Sequence, residues 1–187
     1  MVLMNDKIDN IEYERVAFEG KIHLIDSDEL MAKFAHECPK FTRLGFDTET
    51  RPSFKKGDNY KMALIQLSSD TDAYLFRLHY LTNFLPIKKL LEDKDIVKIG
   101  LAIRDDIKGI QKMFPFTPHN FIELQDLAKT KGLKNFGLKG MTEEVLDKTL
   151  SKKAKLTNWE QKSLTTEQMK YAATDAWIAL KIYEKLD

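Results

Sequence analysis

Two acids stand two residues apart in the segment Leu44-Gly45-Phe46-Asp47-Thr48-Glu49. In a β-strand side chains alternate, so Leu44 and Phe46 share one face, and Gly45, Asp47 and Glu49 the other. Like charges on one face repel, and acids are poor strand formers. A shared divalent cation offsets that repulsion, and Mg²⁺ or Mn²⁺ prefers oxygen ligands. A solvent-facing strand with ordinary acids is the alternative, and Asp-x-Glu alone does not decide between them. A third acid, Asp175, lies in the helical pattern that closes the chain. At about 100° per residue it aligns with Tyr171, Ile178, Ala179, Ile182 and Leu186, an apolar stripe that should pack on a sheet. A carboxylate buried there would need a metal, an arginine or a lysine to satisfy it; the alternative is a stripe that ends near an exposed edge at Asp175. In Gly100-Leu101-Ala102-Ile103-Arg104-Asp105-Asp106, residues Ile103, Ile107, Ile110 and Phe114 define an inner helical face. Asp106 falls about 60° from the centre of that face and Asp105 about 160°. The spacing therefore brings Asp106 toward the sheet and leaves Asp105 in solvent.

Other chemistries find little support. The lone cysteine, Cys38, cannot form an internal disulfide or a cysteine-based zinc site. The four histidines, His23, His36, His79 and His119, never fall at a metal-ligand spacing.

The elements that must hold these acids follow from periodicity and turn residues. Lys21–Ile25 reads as a strand. Asp26 and Glu29 have capping-box spacing and open a helix to about His36. Arg43–Thr50, Met62–Leu67 and Ala73–Leu78 read as three strands of an antiparallel meander. Strand and helix then alternate: helix 84–91, strand 96–99, helix 103–114, strand 121–124 and helix 125–130. That alternation implies parallel strands with crossovers. Thr165 to Leu186 is a long helix. The expectation is an α/β fold with a mixed five- or six-stranded sheet and helices on both faces.

At 187 residues and 43% hydrophobic, the chain suits one globular domain able to bury its own core. No apolar run reaches the roughly 18 residues of a membrane span, and no signal-peptide pattern opens the sequence, so a cytoplasmic protein is expected. The net charge of +1 by itself disfavours a nucleic-acid partner. Its distribution is uneven. Residues 1–30 set three cations against eight carboxylates, whereas residues 129–155 and the Arg51, Lys55, Lys56, Lys61 stretch are basic.

In that order, Asp47-Thr48-Glu49, Asp106 and Tyr171-Ala-Ala-Thr-Asp175 resemble the DEDD superfamily of 3′–5′ exonucleases in its tyrosine-containing branch. The approach to the third motif, Asn158-Trp159, Leu164-Thr165 and Gln168, is similar to RNase D and to the exonuclease domain of the Werner syndrome helicase. Asp47 to Lys56 with Ala63-Leu64-Ile65-Gln66-Leu67 is most similar to stand-alone bacterial 3′–5′ exonucleases. The resemblance implies an RNase H-like fold, with residues 1–20 as an N-terminal arm or lead-in strand and 21–187 as the exonuclease domain. It implies two divalent cations, Mg²⁺ or Mn²⁺, held by Asp47, Glu49, Asp106 and Asp175. Tyr171 would orient the attacking water. The implied partner is single-stranded or 3′-ended DNA or RNA, with Thr48 near the terminal 3′-OH and Arg51, Lys55 and Lys56 on phosphates. A non-catalytic nucleic-acid-binding module on the same fold is the alternative.

Overall fold

The computed structural model describes residues 11–151, 154 and 156–187. A two-residue strand, β1 (Glu14–Arg15), leads in. Of the arm expected over residues 1–20, residues 1–10 lie outside the described residues. β2 (Lys21–Ile25) precedes α1 (Asp28–Glu37). The cap of α1 is Ser27, not Asp26: Ser27 has extended backbone, and its hydroxyl accepts from the Leu30 amide at 3.1 Å. Asp28 instead accepts the amides of Thr82 and Asn83 at 2.9 and 3.2 Å, which ties α1 to the turn before the next helix. β3 (Arg43–Thr50), β4 (Met62–Ser68) and β5 (Asp72–Arg77) form the meander. After a 3₁₀ turn at Leu78–Tyr80 come α2 (Leu85–Glu92), β6 (Val97–Gly100), α3 (Ile103–Gln111), β7 (Phe121–Glu123) and α4 (Leu124–Thr130). α5 (Leu138–Leu146), β8 (Lys148–Thr149) and α6 (Thr166–Leu186) complete the chain.

The main sheet has six strands in the order β2-β5-β4-β3-β6-β7, and β1 pairs with β8 in a separate parallel ribbon. β3–β4 and β4–β5 are antiparallel; β2–β5, β3–β6 and β6–β7 are parallel. The expected mixed sheet with helices on both faces is thus present. β1 falls within residues 1–20, where an arm or lead-in strand is expected, whereas α5 and β8 are additional to the expectation. Leu138, Met141, Val145 and Leu146 have helical spacing, but Gly140 interrupts the run and the surrounding lysines mask it.

β3 lies inside the sheet and is covered on both faces. Leu44 and Phe46 join a core with Met31, Phe34, Ile87, Ile103 and Ile110, residues of α1, α2 and α3. On the other face, α6 crosses the sheet on a row of alanines. Ala172, Ala173, Ala176 and Ala179 are all buried. Gly45 completes that close approach. A Cβ at Gly45 would stand 1.8 Å from the Ala176 carbonyl oxygen, so only glycine lets strand and helix meet this closely. Among the described residues no helix is long and apolar enough to cross a membrane.

Candidate active site

The close crossing of β3 and α6 brings three carboxylates together. Asp47 and Glu49 are on the same strand face as Gly45, and Asp175 precedes Ala176 on the helix. One ligand oxygen from each of Asp47, Glu49 and Asp175 falls within 4.8 Å of the others. Bonds of about 2.1–2.6 Å to a hard divalent ion place ligand oxygens up to about 5 Å apart across it. The three carboxylates therefore suit an oxygen-preferring cation in both spacing and chemistry. Glu49 shows the cost of leaving them uncompensated. Burial, then the charges of Asp47 and Asp175, push its carboxyl up to about 10. The Gln66 amide opposes that shift by donating to Glu49 Oε1 at 3.4 Å. Gln66 is fully buried on β4 and pairs in register with Asp47. The ladder with β4 shifts register between Glu49 and Thr50, immediately after the second acid, and β3 ends at Thr50.

Tyr171 stands one helical turn before Asp175. Burial raises its phenol well above the usual tyrosine range. The charges of Asp175 and Glu49, a hydrogen bond with Asp175, and the charge of Asp47 add to that. It is therefore a neutral hydroxyl that can donate or accept next to the carboxylates. The start of α6 is held firmly. Thr165 Oγ1 accepts the Gln168 amide at 3.1 Å, and Gln168 Oε1 accepts the Thr165 amide at 3.0 Å, a full capping box. The buried Gln168 amide group also donates to Thr157 Oγ1 and the Asn158 carbonyl. Trp159, fully buried, lies with its ring centroid 6.1 Å from that of Tyr171. The segment around Trp159 is fixed in turn by Arg77. Its buried guanidinium donates to the carbonyls of Lys162 (2.9 Å), Gln161 and Trp159 (3.5 Å).

Asp106 comes to the site from the other sheet face. Ala102, just before α3, is in the left-handed region at φ 54°. No side chain of its own caps this helix. Glu123 does so from β7, accepting the Ala102 and Ile103 amides at 2.8 Å each. This fixes the first turn of α3 and with it Asp106, which takes the Thr48 hydroxyl at 2.6 Å. Burial pushes the Asp106 carboxyl up to about 6, against the lowering effect of Thr48. Asp105 is exposed and Asp106 half-buried, in line with the periodicity. Asp106 adds to the field that raises Glu49, but it stands outside the three-carboxylate group.

Asp47, Thr48, Glu49, Tyr171 and Asp175 line a cleft of about 580 Å³. The opposite wall is the start of α5, with Gly137, Leu138, Lys139 and Gly140. Lys139, Gln66 and Glu123 are absent from the sequence-derived candidates. Arg51, Lys55 and Lys56 do not line the cleft. Arg51 lies 3.8 Å from Glu160 and stacks over Tyr60 at 4.8 Å, while Lys55 and Lys56 are exposed on the loop beyond β3.

Residues 22–187 match the protein family described as 3′-5′ exonuclease. Over 149 residues the chain is 38% identical to the mouse (Mus musculus) bifunctional 3′-5′ exonuclease/ATP-dependent helicase WRN, covering 76% of this chain and 11% of that protein. It is 31% identical to ribonuclease D of Escherichia coli over 166 residues, 87% of this chain and 43% of that one. The crystal structure of E. coli RNase D superposes with a TM-score of 0.80 at 29% identity, covering 89% of this chain and 44% of that chain. This likeness, together with the mixed sheet, identifies an RNase H-like fold.

Proposed function

The chain belongs to the 3′–5′ exonuclease family, and we propose that it is a metal-dependent exonuclease of the tyrosine-containing DEDD branch, close in kind to stand-alone bacterial enzymes. It hydrolyses phosphodiester bonds from the 3′ end of single-stranded or 3′-ended DNA or RNA and releases nucleoside 5′-monophosphates. The observation that carries this reading is the convergence of Asp47, Glu49 and Asp175 within 4.8 Å, with Tyr171 one turn away.

Two divalent ions, Mg²⁺ or Mn²⁺, when bound, lower the pKa of the attacking water and stabilise charge on the leaving oxygen. Asp47 would be shared between them, Glu49 and Asp175 would hold the first, and Asp106 would support the second, directly or through a water. The Tyr171 hydroxyl, kept neutral by its surroundings, orients the attacking water. Thr48 positions Asp106 through its side chain and offers its backbone to the terminal 3′-OH. Arg51, Lys55 and Lys56 take phosphates of the strand entering the cleft.

The test uses strands labelled at the 3′ or 5′ end, DNA and RNA, with Mg²⁺, Mn²⁺ or EDTA. Metal-dependent shortening from the 3′ end is expected, and Asp47→Ala and Asp175→Ala should abolish it while the fold survives. Full activity in either variant, or cleavage of circular single strands, would remove the assignment.

A further inference from the structure

Phe54 is 80% exposed, the most exposed large hydrophobic side chain among the described residues. A single exposed phenylalanine is ordinary on its own. Three features of its surroundings set this one apart. It lies five residues after Glu49, hence within about 17 Å of the carboxylates along the chain. The next two residues are Lys55 and Lys56, both exposed, and neither joins an ion pair among the described residues. The loop that carries them is built as a turn. Lys55 carbonyl accepts the Asp58 amide at 3.2 Å and the Ser53 hydroxyl at 3.0 Å. Gly57 supplies the positive φ of 99° that the third position of a type II turn requires. The base of the loop is tied to the body by Arg51, through Glu160 and the face of Tyr60.

We propose that Phe54 is a stacking platform for an unpaired nucleobase, upstream of the scissile 3′ nucleotide, with Lys55 and Lys56 on the adjoining phosphates. The inference rests on the nuclease reading above and narrows its substrate to strands with an unpaired 3′ tail. The charges argue for this occupant. A flat apolar ring flanked by two free cations matches a base and its phosphates, whereas an apolar protein surface would leave both ammonium groups without partners. Every base has a π-face, so the platform selects for single strands and not for sequence. A blunt duplex keeps its bases stacked internally and has none to offer.

Binding is measured by anisotropy of a labelled single strand in the Asp175→Ala background, where no strand is consumed, and KM and kcat are measured in the otherwise wild-type enzyme. Phe54→Ala should weaken single-strand binding and raise KM roughly 5- to 150-fold, leaving kcat and blunt-duplex binding within about twofold. Phe54→Trp should restore binding and Phe54→Leu should not, because leucine keeps the apolar volume without the ring. Lys55→Gln and Lys56→Gln should each reduce the salt dependence of log K by about 0.7, while Phe54→Ala leaves that slope unchanged. Unchanged binding in Phe54→Ala, or full rescue by leucine, overturns the platform while leaving the nuclease reading intact. A wild-type dimer that Phe54→Ala renders monomeric also overturns it, since a second copy would then cover the ring. A wild-type chain that neither shortens nor binds any strand overturns both. One that binds through Phe54 without shortening strands removes only the nuclease reading.

Discussion

The Gly45→Ala substitution tests whether the close crossing of β3 and α6 creates the site. The added methyl would stand 1.8 Å from the Ala176 carbonyl oxygen and 2.7 Å from its carbon, and both are backbone atoms that cannot rotate away. Strand and helix must part by roughly 1.6 Å to restore ordinary contact. Overpacking of this kind costs about 1–3 kcal/mol, a fall in Tm of about 2–12 °C for a domain of this size. The fold should therefore persist. The site should not, because Asp175 precedes Ala176 and moves with it, while Asp47 and Glu49 stay on the strand. A displacement of about 1 Å at a reacting centre can cost a hundredfold, so turnover should fall at least 100-fold with Mg²⁺ saturating. Gly109→Ala is the matched control. Its methyl meets only the flexible end of Met62, at 2.7 Å, and a helical alanine gains up to about 1 kcal/mol over glycine. Release of labelled mononucleotide, measured beside thermal melting, reads both effects. Wild-type turnover in Gly45→Ala would refute the reasoning, because the carboxylates would then tolerate a separation that their spacing forbids.

Thr48→Val removes the hydroxyl that holds the Asp106 carboxyl down, so that carboxyl should rise further above about 6. If ionised Asp106 is needed, the acid limb of the pH–rate profile moves to higher pH; an unmoved limb removes Asp106 from the ionisations that matter. Arg77→Met leaves the carbonyls of Trp159, Gln161 and Lys162 without their buried donor and should cost about 2–5 kcal/mol in denaturant unfolding. Arg77→Lys should recover only part of this, since an ammonium cannot bridge carbonyls as a planar guanidinium does. In EDTA, Glu49 binds its proton more tightly folded than unfolded, with values of about 10 against 4.5, so its contribution to stability is full below 4.5 and is lost as pH rises toward 10. Melting in EDTA from pH 5 to 9 should therefore fall more steeply for wild type than for Glu49→Gln, and equal slopes would contradict the placement of Glu49.

The acids were legible because each broke a local rule. Asp47 and Glu49 occupy a strand where acids are disfavoured, and Asp175 interrupts an apolar stripe. Asp106 was separable from Asp105 by helical angle alone, and the structure keeps that distinction. The meander and the crossovers followed from alternation and turn residues. What stayed hidden depends on pairs distant in sequence. Glu123 caps α3 from a strand 20 residues away, and Arg77 holds carbonyls more than 80 residues on. Neither pairing leaves a periodic trace. The cap of α1 was displaced by one residue because serine and aspartate are both competent caps, and only the backbone at Ser27 decides which one reaches the amide. The cleft wall at α5 is hidden in the sequence because it lies inside a lysine-rich stretch and Gly140 interrupts it, although Leu138, Met141 and Val145 keep the helical interval.

The net charge of +1 illustrates why an average can mislead about a partner. Several cations are already committed to acids of the fold: Lys148 to Glu14, Lys170 to Glu19, and Lys181 to both Asp70 and Glu184. Lys55 and Lys56 are not so committed. The acids are divided in the same way, between exposed partners and a crowded group of three that repel one another. Two divalent cations would bring the total from +1 to about +5, and that change would fall on the wall of the cleft where a phosphate must enter. Attraction for nucleic acid would then be largely conditional on metal. The same repulsion that weakens the metal-free fold through Glu49 gives the loaded site its affinity for cations, so stability and activity draw on one feature, the close approach that Gly45 permits.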